Sequence, residues 1–471
     1  MASMRGNSML SRVLLLWLVW LALVVAAGQA LGAAWAGRGR GLGAYVGRNA
    51  EGDLVLGAAA GGRVLLNGTD AVGELRAAQA LLQAQGGLLK AQAGLLQMQR
   101  REIAAMRASL CAVVGPAPTV EVQAIPTVGA YRWTAFQING TPHLAVANFF
   151  DGSTYHATSS IYRWGGAAFE RVQDIPTVGA LGWSAFEING VAHLALASYW
   201  DGTNVIVNSS IYKWSGVNFV HIQDILTSGA VDLAAFEIGG TSFLAAANYG
   251  DNSTLQVNST IYRWSGSAFV KMQDIWSLGA VDWEPFEING TPYLAVAHFY
   301  YGASYKINSA IYQWDGTEFL PKQAILSQGA RGWAAFEINE TPYLALANSR
   351  NDAGSYLVDS VIYRWNGAMF LPVQDIPTAG AVSWTPFQIN GTTHLVVANQ
   401  FDGSTHHVNS SIYRWGGAAF EHVQDIATDA ASSWAAFEIN DMPYLAVTNM
   451  QNASTHKINS VVYHLIATCM I

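Results

Sequence analysis

The chain has 471 residues, with 24 Lys plus Arg against 32 Asp plus Glu and a formal net charge of −8. Phosphate contacts need clustered Lys and Arg, and none cluster here beyond a few N-terminal arginines, so a nucleic-acid binder is excluded. Hydrophobic residues at 51% and aromatic residues at 11% exclude global disorder, while charged residues, at 12%, are fewer than is usual for a cytosolic globular protein.

Residues 1–36 read as an address. Arg5 and Arg12 precede an uninterrupted apolar run over residues 13–27, which continues past Gln29 to Ala36. One reading is a signal peptide, with small residues at Ala34 and Ala36 for cleavage. The other is an uncleaved signal anchor, since residues 13–36 are long enough to span a bilayer. Arg38, Arg40 and Arg48 nearly balance the flanking charge, so the positive-inside rule leaves the orientation open. A buried soluble helix is the bland alternative.

Residues 37–71 read as a Gly-rich linker. Residues 72–111 then place Leu75, Leu82, Leu89, Leu96, Ile103 and Leu110 at seven-residue spacing, with Leu81, Leu88 and Leu95 as a second row. That pattern suggests a coiled coil, and so an oligomeric stalk; a single amphipathic helix is the alternative. Gln85, Gln92 and Gln99 would put polar layers in the seam, and Gly86, Gly87 and Gly94 each cost about 1 kcal/mol of helix propensity. A stalk suits an anchored protein, which favours the anchor over the cleaved peptide.

From Thr119 the chain is a repeat array. Gln123, Gln173, Gln223, Gln273, Gln323, Gln374 and Gln424 mark a period of 50 that lengthens once to 51, and Phe136, Phe186, Phe236, Phe286, Phe336, Phe387 and Phe437 keep the same step. Such a period points to a propeller or a solenoid. Each unit carries four strand signals, and between the first two lies Asn-Gly or a near equivalent, the favoured two-residue hairpin turn. Four short antiparallel strands make one propeller blade. The first unit opens with a lone strand, "TVEVQAI", and the last stops at "SVVYHL" without its fourth strand. The lone strand fills that gap, so the array closes as a seven-bladed ring rather than running on as a solenoid with polar caps. The hairpin between third and fourth strands should set Tyr162 opposite Arg171, and Tyr463 opposite Glu121 in the shared blade. The expected fold is therefore mainly β: a seven-bladed β-propeller over residues 119–465, followed by a C-terminal tail, 466–471.

The pattern Q-x-I-x-T-x-G-A-x-x-W-x-x-F-x-I-x-G-x-x-Y-L-x-V-A-N…S-x-I-Y-x-W resembles the epilepsy-associated repeat, also called EAR or EPTP. The resemblance covers about residues 119–465 and implies a seven-bladed propeller of secreted or cell-surface proteins, used for protein recognition. Leu233 and Leu465 depart from it where other copies carry Trp. Nothing in the chain resembles the leucine-rich or laminin-G-like domains that often precede these repeats, so partners tied to those domains do not carry over.

The repeated Trp, Phe, Ile and Tyr read as wedge packing between blades, and the glutamine column as inter-blade hydrogen bonding. After the repeated Phe stand Gln137, Glu187, Glu237, Glu287, Glu337, Gln388 and Glu438. These side chains either collect a cation or, the favoured reading, bond locally. The "FDGST", "WDGTN" and "GDNST" loops lack the alternating acids of a calcium cage and read as Asp-Gly turns. His143, His193 and His394 share a column with Tyr293, Tyr343 and Tyr444, which selects a ring rather than a metal ligand. No H-E-x-x-H, G-x-S-x-G or P-loop is present, so the chain reads as a non-enzyme with no cofactor and no metal site. Sequons occur at Asn67, Asn139, Asn208, Asn252, Asn258, Asn289, Asn339, Asn390, Asn409 and Asn452, at turns that suit both Asn and a glycan.

Cys111 and Cys469 flank the array. Extending the shared blade sets Cys469 opposite Gly115, with Cys111 about 13 Å further along an extended strand. A disulfide needs Cα atoms within about 7 Å, so the "GPAP" segment would have to fold back, with Pro116 and Pro118 turning it. The bond would latch the ring; the rival is a crosslink between stalk helices at Cys111.

The functional expectation is a cell-surface or secreted interaction protein, single-pass if anchored, that binds an extracellular or cell-surface protein by its loop face. It would be a homo-oligomer if the stalk is a coiled coil. The alternative is a carbohydrate-binding propeller in which Tyr199, Trp200, Phe299, Tyr300 and Tyr301 stack on sugar rings.

Overall fold

The computed structural model describes residues 119–465 throughout and, before them, only the backbone of four short strands. Those strands form two hairpins, β1 (Ala44–Arg48) with β2 (Leu54–Ala58) and β3 (Leu65–Leu66) with β4 (Thr69–Asp70). The stretch read as a linker thus carries β structure of its own. The apolar N-terminus, the heptad segment, Asn67, Cys111, Cys469 and the C-terminal tail lie outside the described residues. Among the described residues no helix is long and apolar enough to cross a membrane. The chain divides into two compact units, Met1–Gln99 and Arg100–Ile471.

The second unit contains seven four-stranded antiparallel sheets. Blade one is β6 (Ala130–Ile138), β7 (Thr141–Asn148), β8 (Thr158–Trp164) and β9 (Phe169–Pro176), paired in that order. Blades two to six repeat it. Blade seven pairs Ala431–Ile439, Met442–Asn449 and Lys457–Leu465 with β5 (Thr119–Val128), the lone N-terminal strand. Its register sets Tyr463 against Glu121, as Tyr162 stands against Arg171 in blade one. First strands of successive blades pack side by side round the axis, and the ring closes between Ala431–Ile439 and β6.

Local chemistry explains the hairpins. A two-residue type I′ turn needs positive φ at both central residues, and Asn139 and Gly140 adopt φ of 50° and 75°. The odd extra residue of blade five falls between Thr341–Asn348 and Leu357–Trp365, in a loop that absorbs it without breaking a ladder.

The core lies between blades. One leucine per blade on the second strand, from Leu144 through Leu294 to Leu445, is fully buried, each contributing about 1.5–3 kcal/mol. The repeated Trp reaches into the preceding blade: Trp183 Nε1 donates to Val146 O at 3.1 Å, and Trp283 Nε1 to Ala246 O at 3.2 Å. Leu233 fills the same wedge in blade three without a donor to satisfy. The repeated Phe stacks on the ring opposite it, whether His143, Phe243 or Tyr293, so that column does select ring shape.

The glutamine column clasps blades together. Gln173 Nε2 donates to Phe219 O and its Oε1 accepts from Phe219 N, both at 2.8 Å, joining the outer strand of blade one to that of blade two. The same double bond runs from Gln123, Gln223, Gln273, Gln323 and Gln374 to the next blade's phenylalanine.

Candidate interaction face and central channel

Antiparallel order gives the disc two unlike faces. Tight hairpin turns make up one, the turn face. The other, the loop face, carries the connections between second and third strands, residues 149–157 in blade one, and the Gly129-type links between blades. Asp151 Oδ1 accepts from Ser153 N and Thr154 N, both at 2.8 Å, and Asp201, Asp251 and Asp402 repeat this closed turn. These bonds, that with the Ser153 hydroxyl first, hold the Asp151 carboxyl down at about 2. The acidic loops are turns, and among the described residues no group of three or more His, Cys, Asp or Glu is placed to hold a metal ion. The Glu187-to-Glu438 column is exposed near the turn face, away from the axis-lining positions.

On the loop face the aromatic side chains, the five expected to meet sugars among them, form two tiers. Phe149, Tyr199, Tyr249 and Phe299 pack half-buried against a cluster around the axis that includes Tyr131, Leu181, Val231 and Val281. Tyr199 lies 6.3 Å from Phe149 and 6.0 Å from Tyr249, ring to ring. The Arg331 guanidinium sits 5.0 Å over Phe299 and donates to the Tyr131 hydroxyl. The outer tier holds Trp200, edge-on to Tyr155 at 6.5 Å, and Tyr300, 4.7 Å from Tyr305. Tyr301, whose hydroxyl accepts from Gln256, is 36% exposed, and it belongs to the outer tier too. Tyr199 and Phe299 therefore join one inner belt; Trp200 and Tyr300 are half-buried as well, and of the five Tyr301 is the exposed one.

The axial channel holds groups that sequence reading passed over. First strands are sheet edges, so their free backbone groups must find partners in the next blade. Asp282 Oδ2 accepts from Trp333 N at 2.9 Å, Glu284 Oε1 from Ala335 N at 2.8 Å, and Ser433 Oγ from Trp133 N at 3.1 Å. Arg132 then reaches across from blade one to Asp232 and Asp282 of blades three and four, bonding Asp282 at 3.5 Å. One guanidinium thus faces three carboxylates. Burial, then Asp232, pushes the Asp282 carboxyl up. Burial and Asp282 push Glu284 up to about 8. Burial opposes the Arg132 charge, but Asp232 and Asp282 outweigh it and raise its pKa. The signal in the sequence is that the residue before the repeated Trp, or before Leu233 in the third copy, varies between copies: Arg132, Gly182, Asp232, Asp282, Gly332, Ser383 and Ser433.

The sequon asparagines sort by face. Asn139, Asn289, Asn339 and Asn390 sit at positive φ in first-hairpin turns on the turn face. Asn208, Asn258 and Asn409 lie exposed on third strands. Asn252 and Asn452 belong to the loop face, where Asn252 Oδ1 accepts from Val205 N and Asn452 Oδ1 from Thr455 N.

Compared with known proteins, the chain matches the family model of the EPTP domain seven times, at residues 120–164, 168–215, 218–265, 268–315, 318–366, 369–415 and 419–465. Each matched repeat starts on the outer strand of one blade and ends on the third strand of the next, so it straddles two blades. A mouse "Thrombospondin-type laminin G domain and EAR repeat-containing protein" is 46% identical over 59 residues, 12% of this chain and 8% of that protein. The human protein of the same description is 39% identical over 59 residues, 12% of this chain and 9% of its own length.

Proposed function

The chain belongs to the EPTP family of interaction propellers, and on that premise we propose that it is a non-enzymatic propeller recognising another protein through its loop face. One observation carries this: the two faces differ in kind. The turn face repeats the same short hairpins, whereas the loop face sets Phe150, Trp200, Gly250, Tyr300, Arg350, Phe401 and Gln451 at one structural position. A uniform frame with one variable face suits partner recognition, and half-buried aromatic and Arg side chains at that position suit the anchors of a protein interface.

The apolar N-terminus and the sequons support a secretory route, ending at the cell surface by an uncleaved anchor or in secretion after cleavage. The heptads support a stalk that brings several heads together. The second reading, a carbohydrate-binding propeller, rests on the outer-tier rings of half-buried Trp200 and Tyr300 and exposed Tyr301. Crosslinking on intact cells tests the first reading: a surface protein captured by the wild-type chain should be lost with Trp200→Ala or Tyr301→Ala. A glycan array bound by wild type and silent with Trp200→Ala, with no protein captured, would instead establish the second.

A further inference from the structure

We propose that the cleft between blades four and five on the turn face is the seat of the chain's own N-linked glycan, attached at Asn289. The proposal rests on the secretory route argued above. The cleft has a volume of about 560 Å³, and Asn289 of blade four stands on its rim opposite Pro342, Arg364, Trp365, Leu371 and Val373 of blade five. That volume is in the range that encloses a small ligand.

Three features fit the inner N-acetylglucosamine residues of a glycan. Asn289 lies in the sequon Asn289-Gly290-Thr291, is exposed, and among the described residues its side chain has no hydrogen-bond partner. Its positive φ of 50° holds it in the turn at the mouth of the cleft. The far wall is apolar where a surface strand would ordinarily be polar: Leu371 is 42% exposed and Val373 51%. The indole of Trp365 offers a face for sugar C–H groups, and Arg364 a donor for a hydroxyl or an acetamide oxygen.

Two other clefts of the turn face differ in their lining. Between blades five and six, a cleft of about 430 Å³ sets the sequon asparagine Asn339 against Trp415, Tyr343 and again Val373. Between blades seven and one, the corresponding cleft has Asn440, which begins no sequon, and its walls carry Gln137, Glu438 and Asp441 instead of exposed Leu and Val. A glycan seated between blades four and five would touch both and hold them together.

The test uses the full chain from eukaryotic secretory cells that add high-mannose glycans. Glycopeptide mass spectrometry should find Asn289 occupied. Thr291→Ala, which abolishes the sequon and keeps Asn289, should lower the Tm by about 2–4 °C, the shift that a change of about 1 kcal/mol gives in a domain of this size. Thr291→Ser should match wild type, and so should wild type trimmed by endoglycosidase H to a single sugar. In a Leu371→Ser background, Thr291→Ala should change the Tm no further. Occupied Asn289 with no Tm loss in Thr291→Ala overturns the proposal, as does a bare Asn289 beside occupied sequons elsewhere. A chain with no sequon occupied overturns the secretory reading together with it.

Discussion

Gln424 and Thr119, 305 positions apart, complete the ring: Gln424 Nε2 donates to the Thr119 hydroxyl at 2.8 Å and Thr119 N donates back to Gln424 Oε1 at 3.3 Å. Every other glutamine of the column grips a phenylalanine that starts the next outer strand. That phenylalanine packs against the Trp opposite it, as Trp164 does on Phe169 at 5.2 Å. At the seam the strand starts with Thr119, and its cross-strand partner is Leu465. The Trp–Phe pair has become a Leu–Thr pair, so the departure at Leu465 belongs to the closure.

The seam therefore has one clasp of weaker chemistry than the others. Gln424→Ala is expected to cost about 1 kcal/mol, the typical net worth of such bonds. Gln223→Ala should cost more, about 1–3 kcal/mol, because it strands both Phe269 N and Phe269 O in a partly buried interface. Urea melts give the order. Amide hydrogen exchange should show faster opening across residues 119–128 for Gln424→Ala alone; equal protection there in both variants would refute a closure held at this seam.

The hairpin turns predict a gain. Asp441 has φ of 62° at a position where most copies place glycine, a conformation that a Cβ makes unfavourable. Asp441→Gly should stabilise the protein by roughly 0.5–1 kcal/mol, and Gly290→Asp should destabilise it similarly. Thermal melts check both signs, and a lower Tm for Asp441→Gly would contradict the strain argument.

What was legible in the sequence is what the chain repeats. The glutamine clasps, the ring columns and the Asp-Gly turns recur at one period, and counting third against fourth strands found β5 as the missing strand. The channel was illegible for the opposite reason. Arg132, Asp232, Asp282 and Glu284 come from blades one, three and four, and no two copies share the full set, so nothing but the ring's curvature brings them together. The loop aromatics fall between these cases. Their place at strand ends was readable, but the packing that half-buries Trp200 and Tyr300 and draws Tyr199 and Phe299 into an inner belt depends on neighbouring blades.

The channel predicts a response to alkali. Glu284, raised to about 8, is protonated in the fold at neutral pH, while in the unfolded chain it ionises near 4.5. Its contribution is thus fully present below about pH 4.5 and is lost as pH rises through 8. Asp282 and Asp232 face it as like charges and Arg132 as the one cation. Glu284→Gln keeps an acceptor for Ala335 N and removes the charge. Its Tm should exceed that of wild type at pH 9, and the difference should shrink towards pH 5. A constant offset across that range would show that the carboxyl does not titrate with folding.

The ring column predicts a response to acid of the opposite sign. His394 is 7% exposed and stacks on Phe387 at 5.3 Å, and its ring bonds Thr392 O at 2.9 Å. Burial, offset in part by that bond, lowers its pKa to about 4. The unfolded chain protonates this histidine from about pH 6.5 downward while the fold resists, so stability is lost as pH falls from 6.5 through 4, by roughly 3 kcal/mol. Blades four, five and seven place Tyr293, Tyr343 and Tyr444 at this position. His394→Tyr should therefore be accommodated, with a Tm close to that of wild type at pH 7.5. At pH 4.5 it should retain more of that Tm than wild type does. Parallel loss of Tm in the two proteins between those pH values would show that His394 is not a source of acid sensitivity.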